Sequence, residues 1–147
     1  MGLLIYETAN PSSAFSIGND YNNPIAHSFD GVTGSVLIRR YFVRNDDPTK
    51  SYDNIQVQPI HVSGDNIIAG GSGFIWKLIS GDQQPLEEQW NLVTPANVVD
   101  IPDIGNGISA DISTYEPFWL RIEIPKGAKV KSHEGIKLRV TASETAV

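Results

Sequence analysis

The sequence predicts an all-β protein, an antiparallel β-sandwich of about seven or eight strands in a single domain of 147 residues. Apolar residues alternate with polar ones in several short runs, and this period of two places one side of each run in a core. Thirteen glycines and nine prolines separate the runs. No segment shows the apolar spacing of a long amphipathic helix, so helical layers are not expected.

The first predicted strand lies close to the N-terminus. Residues 3–8 begin with the apolar run LLIY, and turn-forming residues follow it in segment 10–16. Asp30-Gly31 is a dipeptide typical of tight turns. We therefore expect residues 1–34 to form an N-terminal arm together with the first strands.

Two further strands are predicted between residues 35 and 60. Residues 35–43 (SVLIRRYFV) carry apolar side chains on both faces, which indicates a strand that is partly covered on both sides. Ile55 and Val57 alternate with glutamines in the next run. Pro59 has no backbone N–H to donate, so this strand is expected to end there or to lie at a sheet edge.

The middle of the chain predicts shorter elements. Residues 74–80 (FIWKLIS) have the composition of a strand, and residues 98–101 form a strand fragment that a proline stops. Residues 82–90 fit one helical turn or a loop, because Pro85 suits an early helical position and two glutamates suit a first turn.

The strongest strand pattern lies at residues 118–142. Leu120 and Ile122 alternate with charged residues in segment 118–124, and segment 136–142 alternates in the same way. A polar connection that contains Pro-Lys-Gly joins the two runs. The pattern predicts a β-hairpin with one buried face and one solvent-facing side.

Two pairs of segments resemble the immunoglobulin-like β-sandwich modules found in phage virion proteins and in bacterial accessory proteins. The first pair is YFVRND at residues 41–46 and YDNIQV at residues 52–57. The second is FWLRIEIPKG at residues 118–127 and IKLRVTA at residues 136–142. The resemblance implies an immunoglobulin-like fold in which the second pair is the closing strand pair. Such modules have many roles, so the fold does not select one.

The composition argues against several classes of protein. A net charge of −6 disfavours a nucleic-acid surface, which needs clustered basic residues. The absence of cysteine rules out a disulfide framework and a zinc–cysteine module. No apolar run is long enough to span a membrane, and the first residues lack the basic and apolar regions of a signal peptide. We expect neither a nucleic-acid nor a membrane partner.

The histidines and the glycine-rich segment do not predict catalysis. His27, His61 and His133 show no metal-ligand spacing. Gly70-Gly71-Ser72-Gly73 lacks the spacing of a nucleophile elbow and reads as a flexible turn. We expect no catalytic residues, no metal ligands and no cofactor, and we do not expect an enzyme.

The carboxylates also favour no particular chemistry. No pair has a spacing that would place two of them across a cleft as in a glycosidase, and no loop has the order of a calcium motif. Solvated acids are the better interpretation. The carboxylates that come in pairs are Asp46 with Asp47, Glu87 with Glu88, Asp100 with Asp103, and Asp111 with Glu116.

The aromatic residues allow a sugar-stacking surface as an alternative. Trp76 and Trp119 are expected to fill the sandwich core, as buried tryptophans do in related folds. Trp90 follows an acidic stretch and is expected at a surface or an interface. The residues that could form such a stacking surface are Phe74, Trp76, Trp90, Tyr115, Phe118 and Trp119.

The function expected from these observations is that of a structural component of a phage or virus-like particle. Such a protein would assemble in the host cytoplasm, in the head or the tail, through contacts with copies of itself and with other virion proteins. The interface residues predicted for this role are Leu3, Leu4, Ile5, Tyr6 and Trp90, the first four as an arm or edge strand. The alternative is a carbohydrate-binding module or adhesin domain, which would bind a glycan through exposed aromatics.

Overall fold

The computed structural model describes residues 2–8, 14–15, 34–61, 75–108, 113–127 and 136–147 of the chain. The described part is all-β with one short helix. Its elements are β1 (Leu3–Tyr6), β2 (Ser35–Asn45), β3 (Lys50–His61), β4 (Ile75–Ser80), α1 (Glu87–Asn91), β5 (Val99–Ile101), β6 (Tyr115–Ile124) and β7 (Ile136–Ala146). Each predicted strand run within the described residues therefore forms a strand, and β3 is longer than its alternating core predicts.

The strands form two antiparallel sheets. Sheet A has the order β1-β2-β6-β4, and sheet B has the order β5-β3-β7. From β3 onward, each strand lies in the opposite sheet from the strand before it in the chain. The one pair of consecutive strands that are hydrogen-bonded neighbours in the described fold is β1 with β2.

This alternation makes the predicted hairpin at residues 118–142 wrong. β6 pairs with β2 and β4 in sheet A, whereas β7 pairs with β3 in sheet B. Alternating side chains show that one face of a strand is buried, but they do not show which strand lies beside it. The resemblance to immunoglobulin-like modules implies that these two strands form a closing pair. In the structure β6 belongs to sheet A and β7 to sheet B.

One hydrophobic core joins the two sheets. Sheet A contributes Leu3, Ile5, Tyr41, Val43, Leu78, Phe118, Leu120 and Ile122, and sheet B contributes Tyr52, Ile55, Val57, Val99, Ile101, Leu138 and Val140. On β6, the core residues are the even-numbered ones, so its odd-numbered side chains lie on the outer face of sheet A.

Asn45 holds the tight crossing from β2 to β3. Its side chain is 6% exposed, and its Nδ2 donates to the carbonyl oxygens of Lys50 (2.9 Å) and Gly105 (3.0 Å). Its Oδ1 accepts from the backbone N–H of Asp47 at 2.8 Å. One buried amide thus satisfies three backbone groups where the chain leaves one sheet for the other.

β3 changes its register in the middle. Asp53 pairs with Ser143 and Gln56 with Thr141, so β3 has one extra residue between these pairs. Asn54 lies in this bulge with a φ of 50°, a left-handed conformation that asparagine tolerates. The bulge allows Tyr52 and Ile55, three positions apart, to face the same core.

Pro59 lies inside β3 and not at its end. The strand continues to His61. Pro59 pairs with Leu138 of β7 on one side, while the short β5 pairs with residues 55–57 and does not reach Pro59 on the other. Pro59 therefore lies at a local sheet edge within the described fold, as its missing N–H requires.

Helix α1 lies on the outer face of sheet A. Arg121 of β6 binds Glu87 through two hydrogen bonds of 2.6 and 3.0 Å, and Lys77 of β4 donates to the carbonyl oxygen of Trp90 at 3.1 Å. Trp90 is 1% exposed, so the prediction of a surface position for this residue is wrong. Glu87, in the acidic stretch before it, pairs with Arg121 of the outer sheet face, and sequence spacing does not reveal this contact.

Candidate functional site: a sheet edge and an acidic groove

The outer edge of β4 is closed by a single side chain. Asn97 Oδ1 accepts from the backbone N–H of Leu78, and Asn97 Nδ2 donates to the carbonyl oxygen of the same residue, both at 2.8 Å. Ala96, which has a φ of 59°, donates its N–H to the carbonyl oxygen of Trp76 at 2.7 Å. These bonds satisfy backbone groups that would otherwise bind a further strand.

The other edge of sheet A and one edge of sheet B are also partly occupied. The N–H of Phe15 donates to the carbonyl oxygen of Ile5 of β1 at 2.8 Å. On the β5 side of sheet B, Ile104 exchanges two backbone hydrogen bonds with Tyr52, of 2.9 and 3.0 Å, beyond the end of β5. Local segments of the same chain thus cover backbone along both edges.

The outer edge of β7 differs from these three edges. β7 is 11 residues long and lies at the end of sheet B, with β3 as its neighbour in the described fold. No described segment is hydrogen-bonded along its other side, which we call the β7 edge. The side chains of Thr141, Ser143 and Thr145 are exposed along the same strand. A strand edge of this length is a template for pairing with another chain.

The predicted interface strand is part of the core. Leu3 and Ile5 are fully buried, Tyr6 is 4% exposed and Leu4 is half-buried, and all four pair with residues of β2. Gly2 is anchored as well, because its N–H donates to the Tyr52 hydroxyl at 2.8 Å. The segment stabilises its own sandwich. Its role in contacts with another chain stays a prediction.

The described aromatic residues of the stacking set do not assemble into one surface. Trp90 and Phe118 are buried, and Trp76 packs against the core. Tyr115 and Trp119 lie on the outer face of β6, four residues apart and therefore about 13 Å along the strand. The expectation of a core position is met by Trp76 and not by Trp119, while Phe74 lies outside the described residues.

A groove opens where β2, β4 and β6 end together, and we call it the end groove. Its volume is about 350 Å³, near the lower limit for ligand pockets. The side chains that line it include aromatic, acidic and hydroxyl groups, which the sequence distributes over four segments: Phe42, Ser80, Asp82, Pro102, Ser113, Tyr115, Glu116 and Pro117. No sequence pattern singles out these residues together, because the sheet pairing brings them to one place.

Arg40 forms the rim of the end groove. Its guanidinium lies 5.2 Å from the ring centre of Phe42 and 5.9 Å from that of Trp119, and it pairs with Asp82 at 2.8 Å. Tyr115 packs edge-on against Phe42, with 5.8 Å between ring centres. A cation above aromatic rings and beside a carboxylate is a favourable combination at a protein surface.

Glu116 is the second acid of the end groove. Its side chain is half-buried, and burial raises the pKa of its carboxyl group above the ordinary value. No described residue gives this carboxylate a hydrogen bond or an ion pair, whereas Asp82 has Arg40. Its predicted neighbour Asp111 lies outside the described residues.

The remaining candidates give no metal or catalytic cluster within the described fold. No three histidine or acidic side chains come together there as a metal-binding group. Asp46 binds Arg44 and Tyr6, and Glu87 binds Arg121, so these acids have structural partners. His27, His133, the side chain of His61 and the segment 70–73 lie outside the described residues.

No described helix is long and apolar enough to cross a membrane. Comparison of the chain with protein-family models, with curated proteins and with solved structures found no match.

Proposed function

We propose that this protein is a non-enzymatic structural component of a phage or virus-like particle, and that it assembles with copies of itself through the β7 edge. An immunoglobulin-like arrangement of the sandwich, and a place in the head or tail of the virion, belong to this proposal. The observation that carries it is the difference between the β7 edge and the other sheet edges.

The difference between the edges concerns backbone hydrogen bonds. Natural β-proteins protect their edges, because an exposed row of N–H and C=O groups pairs with other chains. Asn97 provides such protection at β4, and Ile104 provides it beside β3. A long edge without a described cover fits a protein whose edge is completed in an assembly, where main-chain hydrogen bonds supply the affinity.

The side chains of β7 suit a specific contact. The charged residues Arg139 and Glu144 lie on the strand, and exposed Thr141 and Ser143 lie between them. Opposite charges along an antiparallel edge fix the register of pairing and disfavour indiscriminate aggregation.

The experiment is to measure the mass of the purified chain over a wide concentration range. We expect an oligomer larger than the 16.1 kDa monomer. The double variant Thr141→Lys/Ser143→Lys places charges along the β7 edge on exposed side chains, so it should shift the assembly to monomer without unfolding it.

The matched control is Gln83→Lys/Gln84→Lys, which adds the same charge at exposed positions after β4. This variant should keep the oligomer. A wild-type chain that stays monomeric at every concentration overturns the proposal. An oligomer that both double variants retain shows that copies meet at another surface, and it rules out the β7 edge.

A further inference from the structure

The backbone groups that face the β7 edge can be identified from the hydrogen bonds of β3. In an antiparallel sheet, successive residues direct their N–H and C=O groups to alternate sides of the strand. Tyr52 of β3 lies opposite Glu144 but exchanges backbone hydrogen bonds of 2.9 and 3.0 Å with Ile104, on the side away from β7. Glu144 therefore has no backbone bond to β3, and its N–H and C=O point to the β7 edge.

Two more pairs of β3 and β7 show the same alternation. Lys50, opposite Ala146, uses its N–H and C=O in bonds within the crossing from β2 to β3. Pro59, opposite Leu138, has no N–H to donate to it. The extra residue of the bulge is in β3, so β7 alternates without interruption. The residues of β7 whose backbone groups face the edge are Ile136, Leu138, Val140, Ala142, Glu144 and Ala146.

A second copy of β7 presents a matching row of groups. Two identical strands that pair antiparallel are related by a two-fold axis, and each residue of one strand bonds to a residue of the other that also faces the edge. Thr141 is the central residue of β7 (Ile136–Ala146). With the axis at Thr141, Leu138 of one copy lies opposite Glu144 of the other, and all edge-facing groups of both strands are paired.

The outer-face side chains are compatible with this register. They meet in the pairs without backbone hydrogen bonds, where opposite Cα atoms are about 4.5 Å apart. Thr141 faces Thr141 of the second copy, which is a favourable cross-strand pair, and Arg139 faces Ser143. Registers centred on Arg139 or Glu144 would place two like charges opposite each other, and such pairs are destabilising.

We propose, on the basis of the assembly proposed above, that two copies pair their β7 strands antiparallel about a two-fold axis at Thr141. The two copies of sheet B then form one continuous sheet of the order β5-β3-β7-β7-β3-β5. The contact is isologous, so each β7 edge is fully occupied by the other copy. Pairing through β7 therefore closes at a dimer, and a larger particle uses a second surface.

The test is cross-linking of single-cysteine variants of the full-length chain, which has no cysteine of its own. Thr141→Cys places two thiols opposite each other across the axis, at a Cα distance that a disulfide accepts. Mild oxidation should therefore produce a disulfide-linked dimer. Ser143→Cys should link at least fivefold more slowly, because the two Ser143 positions are offset by four residues, about 13 Å along the strands.

A mixture of two variants checks the register away from the axis. Arg139→Cys and Ser143→Cys, equilibrated together under reducing conditions and then oxidised, should give a linked dimer with one chain of each kind, which intact mass spectrometry identifies. The control Gln83→Cys has an exposed side chain after β4 and should give background linkage only. The substituted side chains of β7 are exposed too, and thermal unfolding verifies that each variant is folded.

Two results would overturn the two-fold register and leave the β7 edge as the contact, provided that Thr141→Lys/Ser143→Lys still gives monomer. One is linkage of Ser143→Cys as fast as that of Thr141→Cys. The other is a mixture of Arg139→Cys and Ser143→Cys that gives no mixed dimer. A wild-type chain that is monomeric at every concentration overturns both the register and the assembly itself.

Discussion

Asn97 takes the place of a neighbouring strand at Leu78. Its side-chain amide accepts from the N–H and donates to the C=O of Leu78, both at 2.8 Å, as a residue of an adjacent strand would. Ala96 positions this amide, and its left-handed backbone costs about 1 kcal/mol. The edge of β4 is thereby closed without a further strand.

Asn97→Asp should destabilise the fold and open this edge. The carboxylate cannot donate to the carbonyl oxygen of Leu78 and places its charge beside that oxygen, so we expect a loss of about 2 kcal/mol. Urea unfolding measures the loss, and light scattering should show faster aggregation. The same exchange at Asn91, an exposed helix residue, should change the unfolding free energy by less than about 0.5 kcal/mol. Equal effects at both positions would contradict this role for Asn97.

Arg121 should tolerate the loss of either of its two acidic partners but not of both. Its side chain is 8% exposed and binds Glu87 at 2.6 Å and Glu123 at 2.8 Å. Glu87→Gln or Glu123→Gln leaves one carboxylate, so each should cost less than about 1 kcal/mol. The double variant leaves a buried guanidinium without an ion pair and should cost about 2 to 4 kcal/mol.

A double-mutant cycle from urea unfolding measures this non-additivity. The two single losses should sum to clearly less than the loss in the double variant. Glu88→Gln on the same helix serves as the reference, because Glu88 is exposed. Strictly additive losses would show that the two acids act independently of Arg121.

The free energy of unfolding should fall steeply above pH 10. Burial raises the pKa of Tyr6 to about 12, with a further contribution from its hydrogen bond to Asp46, and burial raises the pKa of Tyr41 to about 12. In the unfolded chain both hydroxyls ionise near pH 10. Between about pH 10 and 12 the unfolded state therefore binds fewer protons, and stability decreases as the pH rises.

Each of these two tyrosines contributes up to about 2 to 3 kcal/mol to this loss. The stabilisation that each neutral hydroxyl provides is fully present below pH 10 and is lost as the pH rises through the folded-state pKa. Urea unfolding at pH 9, 10, 11 and 11.5 checks it, and Tyr6→Phe/Tyr41→Phe should flatten the dependence. A double variant with the wild-type slope would place the responsible groups elsewhere.

Local sequence patterns are enough to locate most of the described strands. Alternation in residues 35–43 and 118–124 marks β2 and β6, because a strand with one buried face must repeat every second residue. The sequence also predicts that no strand pairs with Pro59 on one side, since proline has no backbone N–H to donate to a neighbouring strand. These are local rules, and each depends on a few consecutive residues.

The pairing of the strands, in contrast, depends on the packing of the whole fold. The patterns of β6 and β7 are satisfied equally by a hairpin and by two strands that face each other across a core, and the chain adopts the second arrangement. Three features follow from that pairing: Asn97 closes the edge of β4, Trp90 of α1 is buried, and Tyr115, Glu116 and Asp82 line one groove. They join residues distant in sequence, and long-range packing alone specifies such contacts.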